Sequence, residues 1–251
     1  MARSLWFSSI LGLALAACGT TSPGTRPHDM SAAQHEHEAE AHANMGEQHE
    51  ARYDPDAVTR RDHCRARVGG TARLDIGGIC WTSVANPTET HLEQAKEHRR
   101  LATEHRAASA ALREAEARAC AGISMEDRDM SPFDHVEEIA SVRPLREDSG
   151  PPKARHKRTA GAIVTFRAVP GMTAEWLQRE VDCHLARNAS LGHVVPEMPT
   201  CPLAPNGAQA RVTSTGNGFA VTIRSDDDGA AQDILARAQR LLPGPGTSSA
   251  P

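Results

Sequence analysis

Apolar residues fall into three unlike patterns along the chain. Between residues 5 and 17 they are almost unbroken, from Leu5 to Ala17. Between Thr88 and Ala121, where neither Gly nor Pro occurs, Leu92, Ala95, Leu101, Ala102, Ala108, Leu112 and Ala115 recur at helical spacing. Thr88 is placed to cap that helix, with Glu89 in its first turn. From residue 160 onward short periods alternate. Ile163, Val164 and Phe166 mark a strand, and Pro170 and Gly171 lead to a helix opened by Thr173 and carrying Trp176, Leu177, Val181 and Leu185. After a proline-rich loop, strands at 210–215 and 219–225 are joined by Gly216, Asn217 and Gly218, and Phe219, Val221 and Ile223 alternate to one face. Asp226 to Asp228 then precede a helix containing Ile234, Leu235, Leu241 and Leu242. The fold class is α+β: a two-layer βαββα sandwich with both helices on one face of an antiparallel sheet, preceded by a long helix.

The remaining segments are polar. Aromatic residues make up 3% of the 251-residue chain and charged residues 24%, too little bulky apolar material for one core over the whole length. Residues 18–54 alternate Ala, Glu and His after a start rich in Gly, Thr, Ser and Pro, and are expected to form a disordered tether. Residues 55–121 divide into a short helix or a hairpin punctuated by Gly69, Gly70, Gly77 and Gly78, then the long helix. Residues 122–159, with Pro132, Pro144, Pro151 and Pro152, read as a linker. Residues 160–242 form the sandwich, and 243–251 a disordered tail. The formal net charge of −4 and the lack of a basic, aromatic-rich face exclude nucleic acid as the implied partner.

Residues 1–17 have the plan of a signal peptide, a charged start at Arg3 followed by an apolar run too short to span a bilayer. The run ends in Leu15, Ala16, Ala17 and Cys18, which resembles the lipobox of bacterial lipoproteins. The resemblance implies cleavage before Cys18, acylation of that cysteine and attachment to an envelope membrane. In that family an aspartate after the cysteine favours retention in the inner membrane. Gly19 stands there in this chain, so the expectation is the outer membrane, facing the periplasm.

Export makes disulfides the default for the five further cysteines. A continuous helix over 88–121 would be about 48 Å long at ~1.5 Å per residue. The eight residues from Cys80 to Thr88 reach back only ~27 Å. Cys80 and Cys120 therefore stay roughly 20 Å apart, beyond the ~7 Å limit for a disulfide. Either Cys64 pairs with one of them, or none of the three is paired within the chain. In the C-terminal domain Cys183, His184, His193, Met198 and Cys201 form a compact set of soft ligands, but a Cys183–Cys201 disulfide is the expected use of the two thiols, contributing about 3 kcal/mol.

Histidine carries the candidate chemistry. His28, His35, His42 and His49 recur every seven residues, with His37 added, and His91, His98 and His105 repeat the spacing on the long helix. Neutral imidazole suits zinc, copper and nickel, and the neighbouring glutamates draw cations. Seven residues is about 10.5 Å of helix, too far for neighbours in one stripe to share an ion. Chelation needs either a tether that folds round the ion through His35, His37 and His42, or a tether lying antiparallel to the long helix with histidines opposite histidines. The plain alternative is that both sets are solvated, or pack at the seam of the Ala and Leu stripe.

The segment Val169, Pro170, Gly171, Met172, Thr173, between strand and helix, resembles the opening of a heavy-metal-associated domain, which implies a βαββαβ fold. That family's metal site is GMTCxxC. Ala174 and Leu177 stand where its cysteines belong, so the copper site is not implied here. No nucleophile elbow, phosphate loop or HExxH helix is present, and no enzymatic activity is expected. Two functions fit: a metal-binding or buffering accessory lipoprotein, serving an efflux system, or a spacer that projects the α/β domain toward an envelope protein partner.

Overall fold

The structure is a computed structural model and describes residues 30–65, 79–151 and 155–242. Cys18 and His28 lie outside the described residues.

The stretch expected to be a disordered tether contains a 19-residue helix, α1 (Ala32–Glu50). Ser31 caps it by accepting from the Gln34 N–H, and the Gln34 side chain accepts from the Ser31 N–H in return, a reciprocal capping box. Its partner is α2 (Glu89–Ala119), the long helix that the apolar spacing predicts. The two run antiparallel, side by side. Helix follows in place of disorder because the second helix gives the low-apolarity stripe of α1 a surface to close against.

Between them lies a two-stranded antiparallel ribbon, β1 (Thr59–Arg65) and β2 (Ile79–Ala85). Cys64 faces Cys80 across it and the pair is disulfide-bonded, one of the arrangements the reach of the chain allows. The corners are knitted together: the Asp54 N–H donates to the Thr88 hydroxyl, and the Asn86 amide donates to the Asp54 carbonyl.

A short helix, α3 (Met125–Asp129), leads into the α+β domain. Here too the expected linker is structured. β3 (Ile139–Ser149) adds a strand ahead of β4 (His156–Arg167), α4 (Ala174–Ser190), β5 (Gln209–Thr215), β6 (Gly218–Arg224) and α5 (Asp228–Gln239). The sheet is antiparallel throughout, in the order β3-β4-β6-β5. Pro144 reads as a strand breaker, yet β3 is an edge strand, where a residue without an N–H is tolerated.

One face of the sheet carries Ala162, Val164 and Phe166 from β4 and Phe219, Val221 and Ile223 from β6, all buried. Leu177 and Val181 of α4 and Ile234 and Ala238 of α5 join them in a single core, closed at the side by Val195, Met198, Cys201 and Leu203. Two glycines are obligatory. A Cβ on Gly161 would lie 2.0 Å from the Ile223 carbonyl oxygen, and one on Gly218 2.1 Å from that of Phe166, both at positive φ.

α4 is buried on a second side as well, and this overturns the expected Cys183–Cys201 bridge. Cys183 is disulfide-bonded to Cys120 at the end of α2. The residues facing the sheet are Leu177, Val181 and Leu185. Cys183 is two positions from Val181, about 200° round the helix, so it points away from the sheet. Cys201 lies buried in the sheet-side core with a free thiol, whose pKa burial raises. The second side of α4 also fixes the hairpin through Arg187, which bonds Glu116 at 3.4 Å and Asp129 at 2.6 Å. The His184 Nε2–H donates to the Asp127 carbonyl at 3.1 Å, and Arg179 donates to the Ala121 carbonyl at 2.7 Å.

Candidate metal centre

The α1–α2 seam is built from two residue kinds in a strict alternation. On α1 it reads Ala32, His35, Ala39, His42, Gly46, His49, and on α2 His91, Ala95, His98, Ala102, His105, Ser109. The steps of three and four are those of a coiled-coil seam, with small residues at one heptad position and histidine at the other. All six small residues are buried. The helices approach closely because nothing larger than a methyl group or a hydroxymethyl separates them there. The Ser109 hydroxyl donates to the Ala32 carbonyl at 2.9 Å, and a Cβ on Gly46 would meet the Ala95 carbonyl oxygen at 3.5 Å.

That approach sets the imidazoles opposite one another. His35 faces His105 with Nδ1 atoms 2.9 Å apart, His42 faces His98 at 3.0 Å, and His49 faces His91 at 3.1 Å. Each distance is that of a hydrogen bond in which one ring donates Nδ1–H and the other accepts. Successive rungs also touch: the rings of His42 and His105 stack at 5.6 Å and 24°, and those of His49 and His98 at 5.5 Å and 8°. Six histidines thus form one continuous ladder.

The surroundings favour cations and neutral rings. α1 carries Glu36, Glu38, Glu40, Glu47 and Glu50 and no Lys or Arg. Two of these glutamates pair across to α2, Glu50 with Arg99 and Glu36 with Arg113. Desolvation, then the neighbouring His91, His98 and Arg52, hold the His49 imidazole below its ordinary pKa, which keeps a nitrogen lone pair available near neutrality. The Arg100 guanidinium holds the Glu97 carboxyl below its usual range, so a carboxylate stays charged near His42 and His98.

Of the candidate ligands, the structure brings together His35, His42, His49, His91, His98 and His105. His37, two residues from His35, is exposed on another side of α1, beside Met30, Gln34 and Glu38. The first candidate arrangement, an ion wrapped by His35, His37 and His42, is therefore not the one formed. Among the described residues no group of three or more His, Cys, Asp or Glu side chains converges to hold a metal ion. Each rung is a two-donor site. On α2 the stripe with Ala95 and Ala102 was read from the sequence, whereas Ala32, Ala39 and Gly46 between the histidines of α1 were missed. Their mirror-image spacing on both helices was the available signal for a closed seam.

Comparison with protein-family models, with curated proteins and with solved structures gave no match to this chain.

Proposed function

We propose that this chain is a lipid-anchored envelope protein that binds or buffers transition-metal ions along the imidazole seam of its helical hairpin. The observation that carries the proposal is the register: three histidines on α1 meet three on α2 with Nδ1 atoms 2.9–3.1 Å apart. A shift of one residue on either helix would separate all three pairs, and a seam needing only solvated polar residues has no use for that coincidence. Anchoring through Cys18 would hold the hairpin at the membrane, where an efflux system is the fitting associate. Among the described residues no helix is long and apolar enough to cross a membrane.

Isothermal titration of the untagged mature chain with zinc, copper(II) and nickel(II) tests the proposal beside a variant with His35, His42 and His49 replaced by Ser. Micromolar binding that the variant loses is the expected result. Equal, millimolar binding by both proteins would end the reading.

One observation favours the spacer reading instead. The β1–β2 ribbon exposes Ile79, Trp81 and Val84, with Val58 just ahead of it; Ile79 is 65% and Val84 61% exposed. A benzophenone placed at Val84 should then cross-link to a protein in envelope extracts, and a ribbon that yields no adduct would count against it.

A further inference from the structure

We infer that the seam is three separate sites, each rung taking one divalent ion of the zinc, copper(II) or nickel(II) class through its own pair of Nδ1 atoms. This deepens the metal-binding reading and rests on it.

The number of sites follows from the ladder's geometry. Rungs recur every seven residues, about 10.5 Å along the helix, while two metal–nitrogen bonds span only about 4.2 Å. The contacts between rungs do not offer an alternative chelate. His49 and His98 lie nearly parallel at 8°, and His42 and His105 at 24°, so their in-plane lone pairs lie in near-parallel planes and do not converge on one ion. Within rungs the rings are tilted by 31–47°, and there the Nδ1 atoms approach.

Each pair is set for one ion. The nitrogens of a rung stand 2.9–3.1 Å apart, within the roughly 4.2 Å that two metal–nitrogen bonds span. Ala39, Gly46, Ala95 and Ala102 hold the backbones together from between the rungs. Turning each ring about its Cβ–Cγ bond trades the shared proton for the ion with the helices in place. Two protein donors leave the other positions to water or to a further ligand, which suits ions that are taken up and passed on. The glutamates of α1 offset the charge of three dications on one hairpin.

The test loads the untagged mature chain with copper(II), removes excess ion by gel filtration, and counts metal by mass spectrometry and imidazole nitrogens per copper by pulsed electron paramagnetic resonance. Three ions per chain, each with two imidazoles, are expected. The double variant His42→Gln with His98→Gln should retain two, with its helical circular dichroism unchanged. One ion held by four imidazoles would overturn this inference and leave metal binding standing. A loaded chain in which no copper(II) is held by imidazole, before the column or after it, would overturn both.

Discussion

Where the α/β domain closes on Val164, Val221, Leu177 and Ile234, the helical hairpin closes on Ala39, Ala102 and three pairs of imidazoles. Burying a Val, Leu or Ile side chain contributes about 1.5–3 kcal/mol, a methyl about 0.8. The domain is thus held by its own core, whereas the hairpin gains little from apolar burial and is fastened at its ends. The β1–β2 disulfide lies at one end and the Cys120–Cys183 bridge to α4 at the other. A seam made this way is weak by itself and therefore responsive to whatever its polar rungs hold.

The largest expected effect attacks the fastening. Replacing Cys120 and Cys183 together by Ser opens a 63-residue loop and should lower stability by about 4 kcal/mol in the chain-entropy account, with the hairpin losing hydrogen-exchange protection before the sheet does. Equal loss in both regions would show them to be one cooperative unit. Next, Leu177→Ala, at a position 1% exposed in the domain core, should cost about 3 kcal/mol in denaturant unfolding. Hairpin metal capacity should stay unchanged, and a parallel fall would break the contrast.

A leucine at the seam should do the reverse. Ala102→Leu forces the helices apart and should cost about 2 kcal/mol while abolishing ion retention at its neighbouring rungs. Gly46→Ala should stabilise the hairpin by up to about 1 kcal/mol, since the added methyl meets only ordinary contacts at 3.5–3.6 Å and the helix gains a better former. Loss of stability there would mean that the seam tolerates no methyl at that point.

A pH-dependent effect concerns the junction between the two regions. Burial, then the charge of Asp127, pushes the Glu180 carboxyl up to about 7, and its Oε1 has no hydrogen-bond partner. The folded chain therefore binds this proton more tightly than the unfolded one. Its contribution is full below about pH 4.5 and lost as pH rises toward 7. Nearby His184 is held below its ordinary value by burial, so its contribution is present above about pH 6.5 and falls as the solution is acidified. Glu180→Gln should gain stability relative to the parent at pH 8 and not at pH 4.5. A gain independent of pH would assign the effect to packing instead.

What was legible in the sequence tracks this contrast. α2, the β5–β6 hairpin, the Thr173 cap of α4 and the Asp227 cap of α5 follow from apolar period and turn chemistry, because a hydrophobic core writes itself as periodic Val, Ile, Leu and Phe. α1 did not, because its buried stripe is Ala, Gly and His, residues that carry no apolar signal in a tract of glutamates. β3 hid behind Pro144, acceptable only because the strand sits at an edge. The histidine repeat was visible, as was the idea of two facing rows. Their register needed the second helix. The Cys120–Cys183 bridge lay beyond sequence reasoning because it depends on which side of α4 meets the end of α2.

The placement of Cys201 also bears on how the molecule matures. A chain threaded outward from its amino end would deliver Cys64 and Cys80 sixteen residues apart, ready to oxidise with each other, and would then hold Cys120 waiting for 63 residues until Cys183 emerges. Cys201 arrives last and, among the described residues, is the competitor for that late union. Once the sheet condenses around it, this sulfur is sequestered, and among the described residues disulfide shuffling has no accessible thiol left to start from.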